Sequence, residues 1–195
     1  MLDVLRKIFI EKYEFGIIEL NDFEKSLEKV KIKKGKELIK PGQLFKNIYI
    51  VEKGLCMSYS FDEAGNKTVI DFFDEFWWVT DINSVYANKP SLYYIEVMED
   101  MVAHSITIED VNRLRKLHPK INNLFNKMLV DLALHLKERY IQRVTMTADK
   151  RYKAFLDFYP TISLRVSQKL IASFLGVTPE FFSKMKSDMY KELKH

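Results

Sequence analysis

The stretch VSQKLIASFLGVTPEFFSK, residues 166 to 184, holds the side chains of this chain best suited to chemistry on a partner. Glu180, Phe181 and Lys184 fall on one face of a helix that Thr178 and Pro179 would start, with Ser183 beside them. Each type matches a feature of DNA base edges. A carboxylate accepts from cytosine N4, a lysine donates to guanine or to phosphate, and an exposed aromatic ring touches the thymine methyl. Gln168, Lys169, Thr178 and Ser183 are of the types that hold phosphates and fix register. This is the chemistry of recognition. Catalytic chemistry has no comparable footing: there is no G-x-S-x-G elbow, P-loop, His-x-His pair or Cys/His zinc spacing. No catalytic residue and no metal ligand is assigned, and an enzyme is not expected.

The elements that must position these residues are legible around them. Ser167 is the expected N-cap of a helix Gln168–Leu175, and Gly176 can take the positive φ that ends it. Thr178 caps a second helix with Pro179 at its first position and Glu180 in its first turn. Two helices joined so tightly cross steeply and need a small side chain at the crossing, where Ala172 falls. Phe182, Met185 and Met189 share the inward face of the second helix. The adjacent phenylalanines then divide their work, Phe182 in the core and Phe181 outward at the helix start. The alternative for Phe181 is a second packing contact, against Tyr190 or the preceding helix. The whole is a helix-turn-helix.

Charge agrees with that reading. The net +4 of the 195 residues lies entirely in residues 147–195, with 9 Lys/Arg against 5 Asp/Glu; residues 1–146 hold 22 of each. A basic end on a neutral body fits a polyanionic partner, although an ordinary solvated lysine surface would look the same.

Upstream, residues 1–30 read as helix, with Leu2, Leu5, Phe9, Phe23, Leu27 and Val30 at helical spacing. From Ile32 the period changes to short β-rich runs punctuated by Gly35, Gly42, Gly54 and Gly65. Leu55, Met57, Tyr59 and Phe61 alternate with Cys56, Ser58 and Ser60; DEAGN turns the chain into a strand Thr68–Phe73, and strands continue at Leu92–Val97 and Met101–Ile106. These predict a small antiparallel barrel or roll. After Pro119, apolar residues from Ile121 to Val144 recur at spacings of three and four, predicting one helix over 119–146, about 40 Å long. Such a helix pairs with its own copy, or packs only within its chain. The N-terminus breaks into charge too early for a signal peptide, no run of eighteen apolar residues occurs, and Cys56 is the single cysteine, so a cytoplasmic protein with no membrane contact is expected.

A second group of candidates lies in FWWVTDINSVYANKPSLYY. Trp77, Trp78, Tyr86, Tyr93 and Tyr94 could line a pocket for a planar or apolar effector, or simply fill the barrel. His104 and His118 are lone histidines without a paired haem or metal motif, and one cysteine cannot hold an iron–sulfur cluster.

The order barrel, long helix, helix-turn-helix resembles the Crp–Fnr family of bacterial transcription regulators, and its shorter Bacteroidetes-type members. The resemblance rests on KGKELIKPGQLFKNIYIVEKGLCMSYSFDEAGNKTVIDFF, YYIEVMEDMVAHSITIEDVNRL and RVSQKLIASFLGVTPEFFSKMK, together most of the chain. It implies an α+β fold. A double-stranded β-helix or jelly-roll domain like those that bind cyclic nucleotides would occupy residues 1–118, a dimerisation helix 119–146 and a helix-turn-helix domain 147–195. It also implies a homodimer on a palindromic duplex operator, with RNA polymerase as a further partner. The departures are specific. Where cyclic-nucleotide binders of the family carry Gly-Glu and Arg-Ser/Thr, this chain has Thr80-Asp81 and Ser91-Leu92. Asp81 keeps a carboxylate for a ribose, but the phosphate loses its cationic partner, so no cofactor is assigned and cyclic AMP is not expected as effector. Where the family's second helix carries Arg-Glu and a later Arg, Pro179, Glu180 and Lys184 stand. The sequence ends at His195, so the β-hairpin wing of longer relatives is not expected. Pro179 and the missing wing leave an alternative, a degenerate module that acts through protein partners.

Overall fold

Ile48 and Ile50 point to one side of strand β3 (Asn47–Lys53), Tyr49 and Val51 to the other, and that period of two organises the first of two structural units. The computed structural model describes residues 6–7, 9–11 and 15–192, without the side chains of Tyr190 and Glu192. Leu2 and Leu5 of the expected first helix lie outside the described residues.

The first unit comprises the described residues up to Met57 together with Phe73–Ala133. Helix α1 (Ile17–Lys25) is followed by strands β1 (Glu28–Ile32), β2 (Glu37–Ile39), β3 and β4 (Cys56–Phe61); after β5 (Lys67–Phe73) come β6 (Trp78–Val79), helix α2 (Ile82–Ala87), β7 (Tyr94–Val97), β8 (Met101–Thr107) and helix α3 (Ile108–Leu117). One four-stranded sheet has the order β1-β8-β3-β6, with antiparallel registers such as Val30↔Ala103, Ile48↔Ile106 and Ile50↔Trp78. The second has the order β2-β7-β4-β5. On the outer face of the first sheet, Ile48, Ile50 and Ile106 bury against Phe9, Phe15, Phe23, Leu114, Leu124 and Phe125. On the inner face, Val51, Val79, Met101 and Ala103 meet Ile39, Phe45, Cys56, Ile95 and Val97. Each fully buried Ile or Phe contributes about 1.5–3 kcal/mol, so a strand buried on both faces is fixed in register from two sides.

The first helix is shorter than its spacing suggested. It ends with Ser26 as C-cap, and Val30 lies in β1, paired to β8. Apolar spacings of three and four through Phe23, Leu27 and Val30 fit a continuing helix, but Val30 and Ile32 also fit a strand, and the ladder offered by β8 decides. The alternation in β4 also fails to sort its faces: Cys56, Met57, Ser58 and Tyr59 are all buried, whereas Phe61 is half exposed.

The second unit comprises Ser58–Phe72 and the described residues from Leu134 onward. Its division from the first falls inside β4, inside β5 between Phe72 and Phe73, and inside helix α4 (Ile121–Thr145). The β4–β5 hairpin turns through Asp62–Asn66, where the Asn66 N–H donates to Asp62 Oδ1 at 2.8 Å and Gly65 takes φ +81. Then come α5 (Ala148–Phe158), α6 (Ile162–Arg165), α7 (Gln168–Leu175) and α8 (Pro179–Glu192). Phe72 brings the hairpin into an aromatic core with Phe155, Tyr159 and Phe174, at centroid distances of 6.3, 6.2 and 5.5 Å.

Candidate nucleic-acid interface

The turn between α7 and α8 is built by its caps. Ser167 is extended and its hydroxyl accepts from the Leu170 N–H; α7 then ends at Gly176, with φ +70 and ψ 37. In that left-handed conformation the Val177 N–H reaches back to the Ala172 carbonyl at 3.0 Å. A Cβ at Gly176 would meet only the Arg143 guanidinium, 3.7 Å away, so the glycine serves the backbone angle and not a close approach. Pro179 opens α8 and the Thr178 hydroxyl accepts from the Phe181 N–H at 3.2 Å. The arginine of α5 completes the corner: Arg151 donates to the carbonyl of Met146 at 2.7 Å and to that of Leu175 at 3.2 Å, quenching carbonyls at the ends of α4 and α7.

The crossing of α7 and α8 buries Ala172 and Phe182 completely. The Phe182 ring stands edge-on to Tyr152 at 5.0 Å, tying α8 to α5. One residue earlier, Phe181 is 52% exposed. The two neighbours differ because 100° of helix rotation separates them. Met185 and Met189 are half-buried on the side of Phe182, while Thr178, Glu180, Ser183 and Lys184 are exposed with Phe181. Gln168 and Lys169, at the start of α7, are exposed as well. Among the described residues neither Lys169 nor Lys184 forms an ion pair, so both ammonium groups are available to phosphates. Of the packing partners weighed for Phe181, the Tyr190 side chain lies outside the described residues.

The side chains proposed for an effector each engage neighbours of their own. Trp78 projects to the outer face of its sheet among Phe9, Phe23 and Phe125, and the Tyr86 hydroxyl donates to the Phe125 carbonyl at 3.3 Å. Tyr93 packs against the inner cluster, and Trp77 meets Phe73 edge-on at 6.3 Å. Asp81 is fully buried as the N-cap of α2, where Oδ2 accepts from the N–H and the hydroxyl of Ser84. The Ser91 hydroxyl donates to the Tyr93 carbonyl at 3.0 Å. The histidines hold carboxylates: His104 Nε2 lies 2.9 Å from Glu52, and His118 Nε2 2.9 Å from Asp22. The His118 hydrogen bond is the chief cause that holds the Asp22 carboxyl below its usual range. Among the described residues no group of three or more His, Cys, Asp or Glu is arranged to hold a metal ion, and no helix is long and apolar enough to cross a membrane.

Asp71, His135, Arg139, Tyr159 and Ser173, which meet in the second unit, gave no signal as a group. Their contacts span 88 and 104 residues of sequence at Asp71–Tyr159 and Val69–Ser173, and single polar residues have no period.

No protein-family model matches the sequence, and no curated protein does. Solved structures do match in fold. FixK2 from Bradyrhizobium japonicum aligns at a TM-score of 0.75 with 16% identity over 85% of each chain. The c-di-GMP responsive global regulator CLP of Xanthomonas campestris aligns at 0.69 with 13% identity over 91% of this chain and 93% of its own. A Eubacterium rectale protein classed with the Crp/Fnr transcriptional regulators aligns at 0.70 with 18% identity over 93% and 89%. The chain has the fold of these regulators, a cyclic-nucleotide-binding-like domain followed by a long helix and C-terminal helices.

Proposed function

We infer that a chain with this fold is a DNA-binding transcription regulator acting as a homodimer on a palindromic operator. The observation that carries the reading is the split between Phe181 and Phe182. The buried ring fixes α8 to its unit, while Glu180, Phe181 and Lys184 stand free at the end of the helix that enters a major groove. Glu180, Phe181 and Lys184 read bases; Gln168, Lys169, Thr178 and Ser183 hold phosphates or register. Lysine lacks arginine's planar fork, so Lys184 reads guanine less stringently.

Dimerisation is supported by α4, which leaves Val130, Leu134, Leu136, Tyr140, Ile141 and Val144 exposed along its length. A self-complementary apolar helix face of this kind is what a two-fold pair buries. The two recognition helices then address half-sites about one DNA turn, ~34 Å, apart. Cyclic AMP is not the effector in this reading. The buried Asp81 carboxylate already occupies the N-terminus of α2 and would repel a second anion there, and Ser91 brings no positive charge.

Selection of random duplex DNA by the purified protein tests the reading. Enrichment of a palindrome with half-sites a turn apart is expected; retention without pattern at low salt would favour action through protein partners. Within the selected site, Glu180→Ala changes base preference, while Lys169→Ala lowers affinity on every sequence and flattens its salt dependence. Glu180→Ala ranking all operator variants as wild type does would remove the base-reading role.

A further inference from the structure

Strand β5 ends its sheet, and an edge strand presents backbone groups that nothing in the sheet pairs. Within the second unit, side chains from helices do that pairing. The Ser173 hydroxyl of α7 donates to the Lys67 carbonyl and accepts from the Val69 N–H, both at 2.9 Å. Arg139 of α4 donates to the Ile70 carbonyl, with its guanidinium 4.1 Å from the centre of the Phe174 ring. The next residue, Asp71, is buried and accepts from the hydroxyl of Tyr159, the C-cap of α5; Arg139 Nη1 and His135 Nε2 each lie 3.6 Å from its other oxygen. Three helices thus hold one strand edge through polar contacts with defined partners.

A cleft of ≈ 610 Å³, open to solvent on one side, is bounded by Val69, Ile70, Arg139, Phe158, Ser173 and Gly176, so it reaches from the strand edge to the turn before α8. The contacts along it are directional, and each fixes a helix residue to one point of the strand.

The geometry points to the β4–β5 hairpin as a brace of the helix-turn-helix, with Ser173 and the Asp71–Tyr159–Arg139 group as positioning residues that set α7, and through its turn α8. Seated, the hairpin leaves the exposed face of α8 uncovered, so it acts by fixing the helices and not by masking them. Its effect on DNA affinity rests on the function proposed above; its effect on the helices does not.

Amide exchange of the full chain, followed by mass spectrometry, tests the brace. Ser173→Ala deletes both hydrogen bonds to β5 and should raise exchange at Val69 about thirtyfold, the order expected for two neutral hydrogen bonds. The brace requires a parallel rise through residues 168–192, with no change in α3 of the other unit. Tyr159→Phe keeps the ring and should do the same; if it lowers the helical circular dichroism, Ser173→Ala alone decides. Affinity for a selected duplex should fall in proportion. A rise at Val69 with residues 168–192 unchanged would overturn the coupling, and no rise anywhere would overturn the clamp. Should the wild-type protein bind no duplex, the regulator reading fails while the exchange result still judges the brace.

Discussion

Replacing Phe181 and Phe182 by alanine, one at a time, should separate stability from recognition. Phe182 is fully buried against Tyr152, so its truncation costs about 3–5 kcal/mol, transfer and cavity together. Against a domain stability of about 5–15 kcal/mol that is enough to open the unit measurably. Phe181 is 52% exposed and forfeits about half the burial of a phenylalanine, or about 1 kcal/mol. Its cost should appear instead in DNA affinity, as a roughly tenfold loss if the ring meets a thymine methyl. Tryptophan fluorescence is the wrong probe for stability, because Trp77 and Trp78 both lie in the first unit. Amide exchange across residues 168–192 reads the second unit directly, and fluorescence anisotropy of a labelled selected duplex reads binding. Equal destabilisation by the two variants would refute the assignment of faces. So would a Phe181→Ala protein that binds every duplex as tightly as wild type.

Four further outcomes follow from single features. Gly176→Ala has room for its Cβ but must hold φ +70, so unfolding of the second unit should become easier by about 1–2 kcal/mol; an unchanged denaturation midpoint would mean the turn relaxes. Gly54→Ala should cost more, because at φ +117 its Cβ would also sit 2.9 Å from the Met101 Cα. Burial pushes the Cys56 thiol up to about 12, so a thiol reagent at pH 8 should label it only in denaturant, and fast labelling of the native protein would contradict its placement. The Thr107 hydroxyl, and after it Arg113, holds the Asp110 carboxyl below its usual range. A depressed folded value means the stabilisation is present above the unfolded value, near pH 4, and is lost as pH falls through the folded one. Asp110→Asn should therefore narrow the difference in melting temperature between pH 7 and pH 3, and an unaltered difference would show the carboxylate contributes nothing.

The parts of this molecule that were legible in its sequence are those encoded by neighbours. Ser167, Gly176, Thr178 and Pro179 act on groups one to five residues away, so their capping grammar specifies the turn between α7 and α8 locally. The helix Ile121–Thr145 declared itself by a sustained period, and β5, β7 and β8 by turn residues and β-branched runs. Legibility failed where a local pattern admitted two answers, as at Val30, or where both faces of a strand were buried, as at Cys56–Tyr59.

It failed more deeply at the hairpin. Alternation in Leu55–Phe61 says that a strand exists but not which body its far end joins. Membership was decided by Phe72 entering the aromatic core of Phe155 and Phe174, and by hydroxyls on Tyr159 and Ser173 that lie 88 and 104 residues away. A serine in SFLG looks like a solvated helix residue until an edge strand is laid against it. For the same reason the aromatic run from Trp77 to Tyr94 left a pocket and a filled barrel both open: composition counts rings, and only the pleat of β6 sends Trp78 to the outer cluster and Val79 to the inner one.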